Sequence, residues 1–180
     1  MQRDAEVAEP GIGGSGRAGL LLENGLFRLD FARRVTLAML EDVPFDRWCL
    51  QPVADANHAM WITGHLAAID DFFLVNVGGR TSALPAGWTA LFATGSKPVA
   101  DLDAYPAPEV LMQQLAARRE DLKSWFRSLG EEELLSPLPA GMRFAANLAE
   151  LMPSVAWHEA WHGGQLSLVR KALGLAPKLG

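Results

Sequence analysis

The sequence has little of what marks several common classes of protein. A single cysteine, Cys49, rules out a disulfide within the chain and is typical of a reducing compartment such as the cytoplasm. The net charge is −5 and the basic residues are scattered, whereas a nucleic-acid groove needs clustered positive charge. No apolar run reaches the roughly 20 residues of a membrane helix, and the first residues lack the basic and apolar blocks of a signal peptide. We therefore expect a cytoplasmic protein that binds neither nucleic acid nor membrane.

The 180 residues are enough for one domain with one core. Closely spaced glycines predict a flexible N-terminal leader over residues 1–18, followed by a single domain over residues 19–180. Helical spacing of apolar residues, with no alternating strand pattern, predicts an all-α four-helix bundle. The predicted helices run from about Leu20 to Leu40, from Asp55 or Asn57 to Val77, from Ala107 to Leu129 and from Asn147 to Gly174.

The segment between Gly78 and Pro106 is too long for a simple turn and predicts a crossover connection or the roof of a site. Trp88 and Phe92 within it are candidates for a pocket wall. In the last helix, Asn147 with Glu150 resembles a capping box. Pro153 should kink or restart that helix.

The spacing of apolar residues also predicts which faces turn inward. In the first helix Phe27 and Phe31 should lie on the core face, with Arg33 on another face. In the second helix the inward stripe is predicted to contain His58, Trp61, Ile62, His65, Ile69, Phe72 and Phe73. Trp61, Trp157 and Trp161 are expected in the core.

The chain has only four histidines, and two of them, His158 and His162, stand in the sequence HEAWH. Residues four apart in a helix differ by about 40° of rotation and 6 Å of rise, so the two rings project from one face. Two imidazole nitrogens placed in this way can bind one metal ion at about 2.0–2.1 Å. The pair therefore predicts two of the ligands of a metal site.

A third ligand has to come from upstream, where His58 and His65 share a helix face. His65 is favoured because it lies mid-helix beside Gly64, which lets another group approach. His58 lies in the first turn, where a histidine usually caps the helix or faces solvent, and stays a weak candidate for a pocket role. Three histidines without a fourth protein ligand describe an open site that can take water or substrate.

HEAWH also matches the H-E-x-x-H signature of zinc peptidases, in which the glutamate is the general base. No His, Asp or Glu follows His162, and no strand pattern offers a sheet for a peptide, so peptidase is the less favoured alternative. Glu159 points about 100° away from His158 and is expected to be a solvated helix residue. Gln165, one turn beyond His162, could hydrogen-bond a ligand ring or a bound water.

Two segments together resemble the DinB-like superfamily over residues 20–180. They are Asn57 to Ala67, which contains Gly64-His65-Leu66, and His158 to Leu166, which contains His162-Gly163-Gly164-Gln165. The resemblance implies an up-down-down-up four-helix bundle and one divalent ion, usually zinc or nickel, on His65, His158 and His162. It also implies frequent homodimers. Some members of the superfamily use a low-molecular-weight thiol for S-transfer or isomerisation.

The favoured reading is therefore a metal-dependent enzyme that acts on a small-molecule substrate, with thiol S-transfer as the reaction that the resemblance suggests. A hydrolase with the same open site is a variant of that reading. A non-catalytic metal-binding or stress-response module is a second hypothesis. The sequence contains no identifiable thiol-binding residue, and the catalytic residues are unknown beyond the weak candidates Gln165, Glu159 and His58.

Overall fold

The computed structural model describes residues 16–178, and this part of the chain contains six α-helices and no β-strand. The prediction of an all-α fold is confirmed. Two further turns, Phe45–Arg47 and Leu102–Ala104, are 3-10 helices. The α-helices are α1 (Arg17–Leu40), α2 (Ala59–Asn76), α3 (Trp88–Phe92), α4 (Pro108–Arg127), α5 (Glu131–Leu134) and α6 (Leu148–Ala172).

Most of the predicted leader, residues 1–18, lies outside the described residues. Of its last three residues, Arg17 and Ala18 already belong to α1. The segment from 78 to 106 contains the short helix α3, which the sequence pattern did not predict. None of the described helices combines the length and apolarity that crossing a membrane requires.

The residue that caps the start of α6 is the one that the sequence predicts, whereas the cap at the start of α2 is not. Asn147 caps α6, since its side chain accepts a hydrogen bond from the Glu150 N–H at 3.0 Å. The helix continues through Pro153 without restarting. Capping of α2 by Asp55 or Asn57 is wrong: His58 is the cap, and its ring Nδ1 accepts from the Trp61 N–H at 3.1 Å.

The four long helices form two pairs, because α1 packs mainly on α6 and α2 packs mainly on α4. One apolar cluster lies around α2, α3, the end of α1 and the first two turns of α4, and includes Trp48, Trp88 and Phe92. A second cluster joins α1, α4 and α6 and includes Leu122 and Phe126. This arrangement places α2 and α6, the two histidine-bearing helices, across the junction between the pairs.

The prediction for the inward face of α1 is wrong. Phe27 and Phe31 are 60% and 52% exposed, whereas Leu29 and Arg33 are buried. The spacing of the phenylalanines describes a real apolar stripe, but the stripe faces outward, and a charged residue occupies the inward face because its charge is paired there. Phe72, placed on the inward stripe of α2, is also exposed.

Candidate metal centre

The structure brings together the three histidines that the sequence singled out. Nε2 of His158 lies 3.4 Å from Nε2 of His65 and 3.2 Å from Nε2 of His162. Each of the three residues offers a ring nitrogen within 4.8 Å of the other two, and no other group of three or more potential ligands occurs in residues 16–178. α2 contributes one ring and α6 contributes two from consecutive turns.

The spacing of these nitrogens fits a divalent ion. Two ligands bound at about 2.0–2.1 Å and separated by a tetrahedral angle are about 3.3–3.4 Å apart. The observed separations of 3.4 and 3.2 Å are close to that value. The donor set is chemically suitable as well, since neutral imidazoles bind zinc, nickel, copper and iron. The residues present therefore fit a metal ion.

Hydrogen bonds fix the orientation of two of the rings. The Nδ1–H of His65 donates to the backbone carbonyl of Phe92 at 2.7 Å, and the Nδ1–H of His162 donates to Oε1 of Gln165 at 2.8 Å. Each bond leaves the Nε2 lone pair of the ring pointing into the site, which is the arrangement typical of metal-ligating histidines. The Nδ1 of His158 is buried and has no hydrogen-bond partner among the described residues.

Gly64 and Trp88 place α3 against the ring of His65. A Cβ atom on Gly64 would lie 2.4 Å from the ring of Phe92, so only glycine allows this approach. The indole Nε1–H of Trp88 donates to the Gly64 carbonyl at 3.0 Å, and Trp61 stacks on the imidazole of His65 at 4.4 Å. The predicted pocket-wall residues Trp88 and Phe92 are thus buried supports of a candidate ligand.

Burial lowers the pKa of His65, His158 and His162 from 6.5 to about 4, and repulsion between neighbouring rings acts in the same direction. A buried imidazole loses the hydration that stabilises its charged form. The three rings are therefore neutral at pH 7, which is the protonation state that a metal ion requires.

His58, the alternative third ligand, is fully buried and both of its ring nitrogens are engaged. Nδ1 caps α2, and Nε2–H donates to the carbonyl of Val99 at 3.0 Å. The expectation that it caps the helix is confirmed, and the solvent-facing alternative is wrong. His58 fastens the long crossover segment to the start of α2.

Glu159 is 0% exposed, so the expectation that it is a solvated helix residue is wrong. Its carboxylate binds Arg33 Nε at 2.7 Å and Arg119 Nη2 at 2.7 Å. Although burial raises the pKa of Glu159, the two guanidinium groups outweigh it and hold that pKa below its usual value. The Glu159 carboxylate is therefore already bound by two cations.

The prediction that Trp157 and Trp161 lie in the core is also wrong, because they are 65% and 60% exposed on the outer face of α6. Gln165 does hydrogen-bond a ligand ring, and its Oε1 accepts a second hydrogen bond from Asn57 Nδ2 at 3.0 Å.

Sequence reasoning missed the part played by the Phe92 carbonyl, for which no sequence signal exists. The pairing of Arg33 and Arg119 with carboxylates was missed because the partners are remote in the chain.

A comparison with known protein families identifies one family, whereas a search of curated proteins finds no match. The model of the DinB superfamily matches residues 28–166, which is more than half of the chain and includes all three histidines. The chain belongs to the DinB superfamily.

Proposed function

We propose that this protein is a divalent-metal-dependent enzyme whose ion, zinc or nickel, is held by His65, His158 and His162. The observation that carries the proposal is the convergence of three neutral Nε2 atoms at separations suited to one ion. Two of these atoms are aimed by hydrogen bonds on the far side of their rings. With only three protein ligands, the site has room for a substrate group.

A bound divalent ion would supply Lewis acidity, lowering the pKa of a thiol that approaches it so that the thiolate forms near neutral pH. The residues of the chain orient the ligand rings and shield them from water. Gln165 and the Phe92 carbonyl keep two rings in the tautomer that exposes Nε2. Trp61 covers one face of His65 and excludes water from that side of the ring.

The reaction that we propose is S-transfer from a low-molecular-weight thiol to a small electrophilic substrate. In such a reaction the thiol loses its proton and the sulfur forms a bond to carbon as the leaving group departs. Support for the thiol comes from membership of the superfamily. A cytoplasmic location, where thiols stay reduced, is part of the proposal.

The geometry argues against the alternative of a zinc peptidase. In H-E-x-x-H peptidases the glutamate is the general base and must reach the reacting water. Here the Glu159 carboxylate is fully buried and is already paired with Arg33 and Arg119. Its lowered pKa makes the carboxylate a weak proton acceptor.

The first experiment measures metal content after purification without an affinity tag. We expect about one equivalent of zinc or nickel in the wild-type protein and none in the His162→Ala variant. The matched control is His58→Gln, which changes the one histidine whose nitrogens are both engaged elsewhere. Retention of metal by His162→Ala would contradict the proposed ligand set.

The second experiment measures turnover of the metal-loaded protein with bacillithiol, mycothiol or glutathione and a panel of electrophiles. We expect thiol consumption that the His158→Ala variant does not show. Binding of metal without turnover of any thiol would instead favour the non-catalytic metal-binding module. Hydrolysis of an ester or amide substrate without thiol would favour the hydrolase variant of the proposal.

The up-down-down-up four-helix bundle with one long crossover, and the homodimer, also belong to the proposal. The bundle is supported by the pairing of α1 with α6 and of α2 with α4.

The dimer is supported by exposed aromatic residues on α1 and α6, which border a groove of about 1210 Å³ between the two helices. Large exposed apolar patches commonly mark protein interfaces. Light scattering coupled to gel filtration measures the oligomeric state directly.

A further inference from the structure

Four buried charged side chains meet beneath the histidine site, and each comes from a different long helix. They are Arg33 of α1, Asp70 of α2, Arg119 of α4 and Glu159 of α6, which we call the charge tetrad. All four residues are less than a tenth exposed. Two of them are close in sequence to the candidate ligands, since Glu159 adjoins His158 and Asp70 follows His65 by five residues.

Half of the ion pairs in the charge tetrad join helices of the same pair. Arg33 binds Glu159 at 2.7 Å within the α1/α6 pair. Within the α2/α4 pair, Arg119 makes a bidentate contact with Asp70, from Nε to Oδ2 at 2.9 Å and from Nη2 to Oδ1 at 3.0 Å. A bidentate contact fixes the relative orientation of the two side chains as well as the distance between them.

The other contacts cross from one pair to the other. Arg119 Nη2 binds Glu159 at 2.7 Å, and Arg33 Nη2 binds Asp70 at 3.2 Å. Each arginine also donates to a backbone carbonyl of the opposite pair, Arg119 to Leu29 at 3.0 Å and Arg33 to Leu115. The charge tetrad thus links the α1/α6 pair to the α2/α4 pair through both side chains and backbone.

The histidine site bridges the same junction, with one ligand on α2 and two on α6. Apolar packing tolerates small slides of one helix over another, whereas a metal site needs its ligands within about 0.5 Å of the productive geometry. Two arginines and two carboxylates carry no net charge together, which allows the cluster to be buried.

We infer that the charge tetrad is a positioning device: it sets the spacing between the α1/α6 and α2/α4 pairs and thereby holds His65 against His158 and His162. The part of this inference that concerns metal binding rests on the proposed function. The part that concerns the distance between the rings does not depend on it. The four residues act through the helices and do not touch the ion.

The test uses the double variant Asp70→Leu/Arg119→Met in the full chain. It removes one charge of each sign and keeps the Arg33–Glu159 ion pair within the α1/α6 pair. It deletes both ion pairs that link the α1/α6 pair to the α2/α4 pair. Replacing a buried ion pair by apolar residues of similar volume often leaves stability unchanged or higher. The variant therefore separates positioning from stability.

The matched control is Asp42→Asn/Arg170→Met. Arg170 is a buried arginine of α6, but its partners are Asp42 and the carbonyls of Met39 and Ala176, so its contacts do not reach the α2/α4 pair. It tests the loss of a buried charge on the same helix without changing the link between the pairs. If the double tetrad variant does not fold, Arg119→Lys takes its place, since lysine keeps the charge but loses the two-pronged grip.

Two measurements are made on each protein. In crystals of the metal-free protein, the distance between Nε2 of His65 and Nε2 of His158, 3.4 Å in the present structure, should grow by about 1 Å or more in the tetrad variant. Zinc affinity, measured by chelator competition, should fall about ten- to a hundred-fold, with a changed Co²⁺ absorption spectrum. The control should match the wild type in both.

Unchanged ring distances in the tetrad variant would overturn the positioning inference, whatever the metal result. Unchanged zinc affinity in a folded tetrad variant would overturn the part of the inference that concerns metal binding, while leaving the proposed metal site intact. A wild-type protein that binds neither zinc nor nickel would remove the proposed function, and the ring distances in the metal-free crystals would still decide the positioning inference.

Discussion

α2 and α6 both carry candidate metal ligands, but they hold them in different ways. On α6 the two ligands are four residues apart and the group that orients one of them, Gln165, lies on the same helix. On α2 the single ligand, His65, depends on α3, a segment 27 residues further along the chain. α2 is also covered on nearly all sides, whereas α6 has an outer face with two exposed tryptophans. The comparison separates what local sequence can specify from what only the fold supplies.

The two helices are alike in their dependence on the charge tetrad, and we expect the largest effect there. Asp70→Leu on α2 and Glu159→Leu on α6 each leave an uncompensated buried cation, so each should lower the free energy of unfolding by about 3–5 kcal/mol. Urea unfolding of the metal-free protein measures this. A loss below about 1 kcal/mol in one variant would show that its buried charge is hydrated. The helix that carries that residue would then depend on the charge tetrad less than the other helix does.

A pair of glycines tests the difference between the helices directly. Gly64→Ala on α2 puts a methyl group 2.4 Å from the Phe92 ring, whereas a Cβ on Gly163 of α6 meets nothing within 4 Å. We expect Gly64→Ala to cost about 1–3 kcal/mol by overpacking and to weaken zinc binding by displacing the Phe92 carbonyl. Gly163→Ala should be neutral or slightly stabilising, since alanine favours helix. Equal effects in thermal melts and zinc titrations would contradict the dependence of His65 on α3.

The pH dependence of stability should be shared by both helices. In the metal-free protein the pKa of each ligand histidine is lowered to about 4, below its unfolded value of about 6.5. A depressed pKa stabilises the folded state above the unfolded pKa, and this stability is lost as pH falls from about 6.5 to 4, because the unfolded chain binds the protons first. Urea midpoints in chelator should therefore fall across this range. His65→Gln and His162→Gln should each flatten the slope, and a wild-type profile that stays level from pH 7 to 4.5 would contradict the prediction.

The smallest effect is expected on the outer face of α6. Trp157→Ser and Trp161→Ser remove exposed rings, and surface substitutions of this kind usually change stability by no more than about 0.5 kcal/mol. If this face is the dimer interface, the same variants should shift the protein to monomer in gel filtration with light scattering. A large stability loss that does not depend on protein concentration would instead show that the tryptophans pack within the monomer.

The sequence could predict the parts of the site that depend on local contacts, but not those that depend on the fold. The pair His158 and His162 and the cap Asn147 were predictable because each rests on contacts within one turn or two of a helix. Gln165 was predictable for the same reason. The Phe92 carbonyl was not, since any residue has a carbonyl and only the path of the crossover brings this one to His65.

The outward and inward faces show the limits of apolar patterns. Phe27 and Phe31 form a helical stripe as regular as a core stripe, yet they face outward. The true inward face of α1 carries Arg33, which is buried because Asp70 and Glu159 neutralise it. Burial of a charge depends on partners from other helices, so hydrophobic spacing alone assigns such a residue to the surface.

The central claim is that three imidazole rings from α2 and α6 bind one divalent ion. Anomalous X-ray scattering at the zinc and nickel absorption edges, on crystals of protein purified without a tag, tests it most directly. The account predicts a single peak bonded to Nε2 of His65, His158 and His162 at about 2.0–2.1 Å. A protein saturated with either metal that shows no peak between these rings would contradict it.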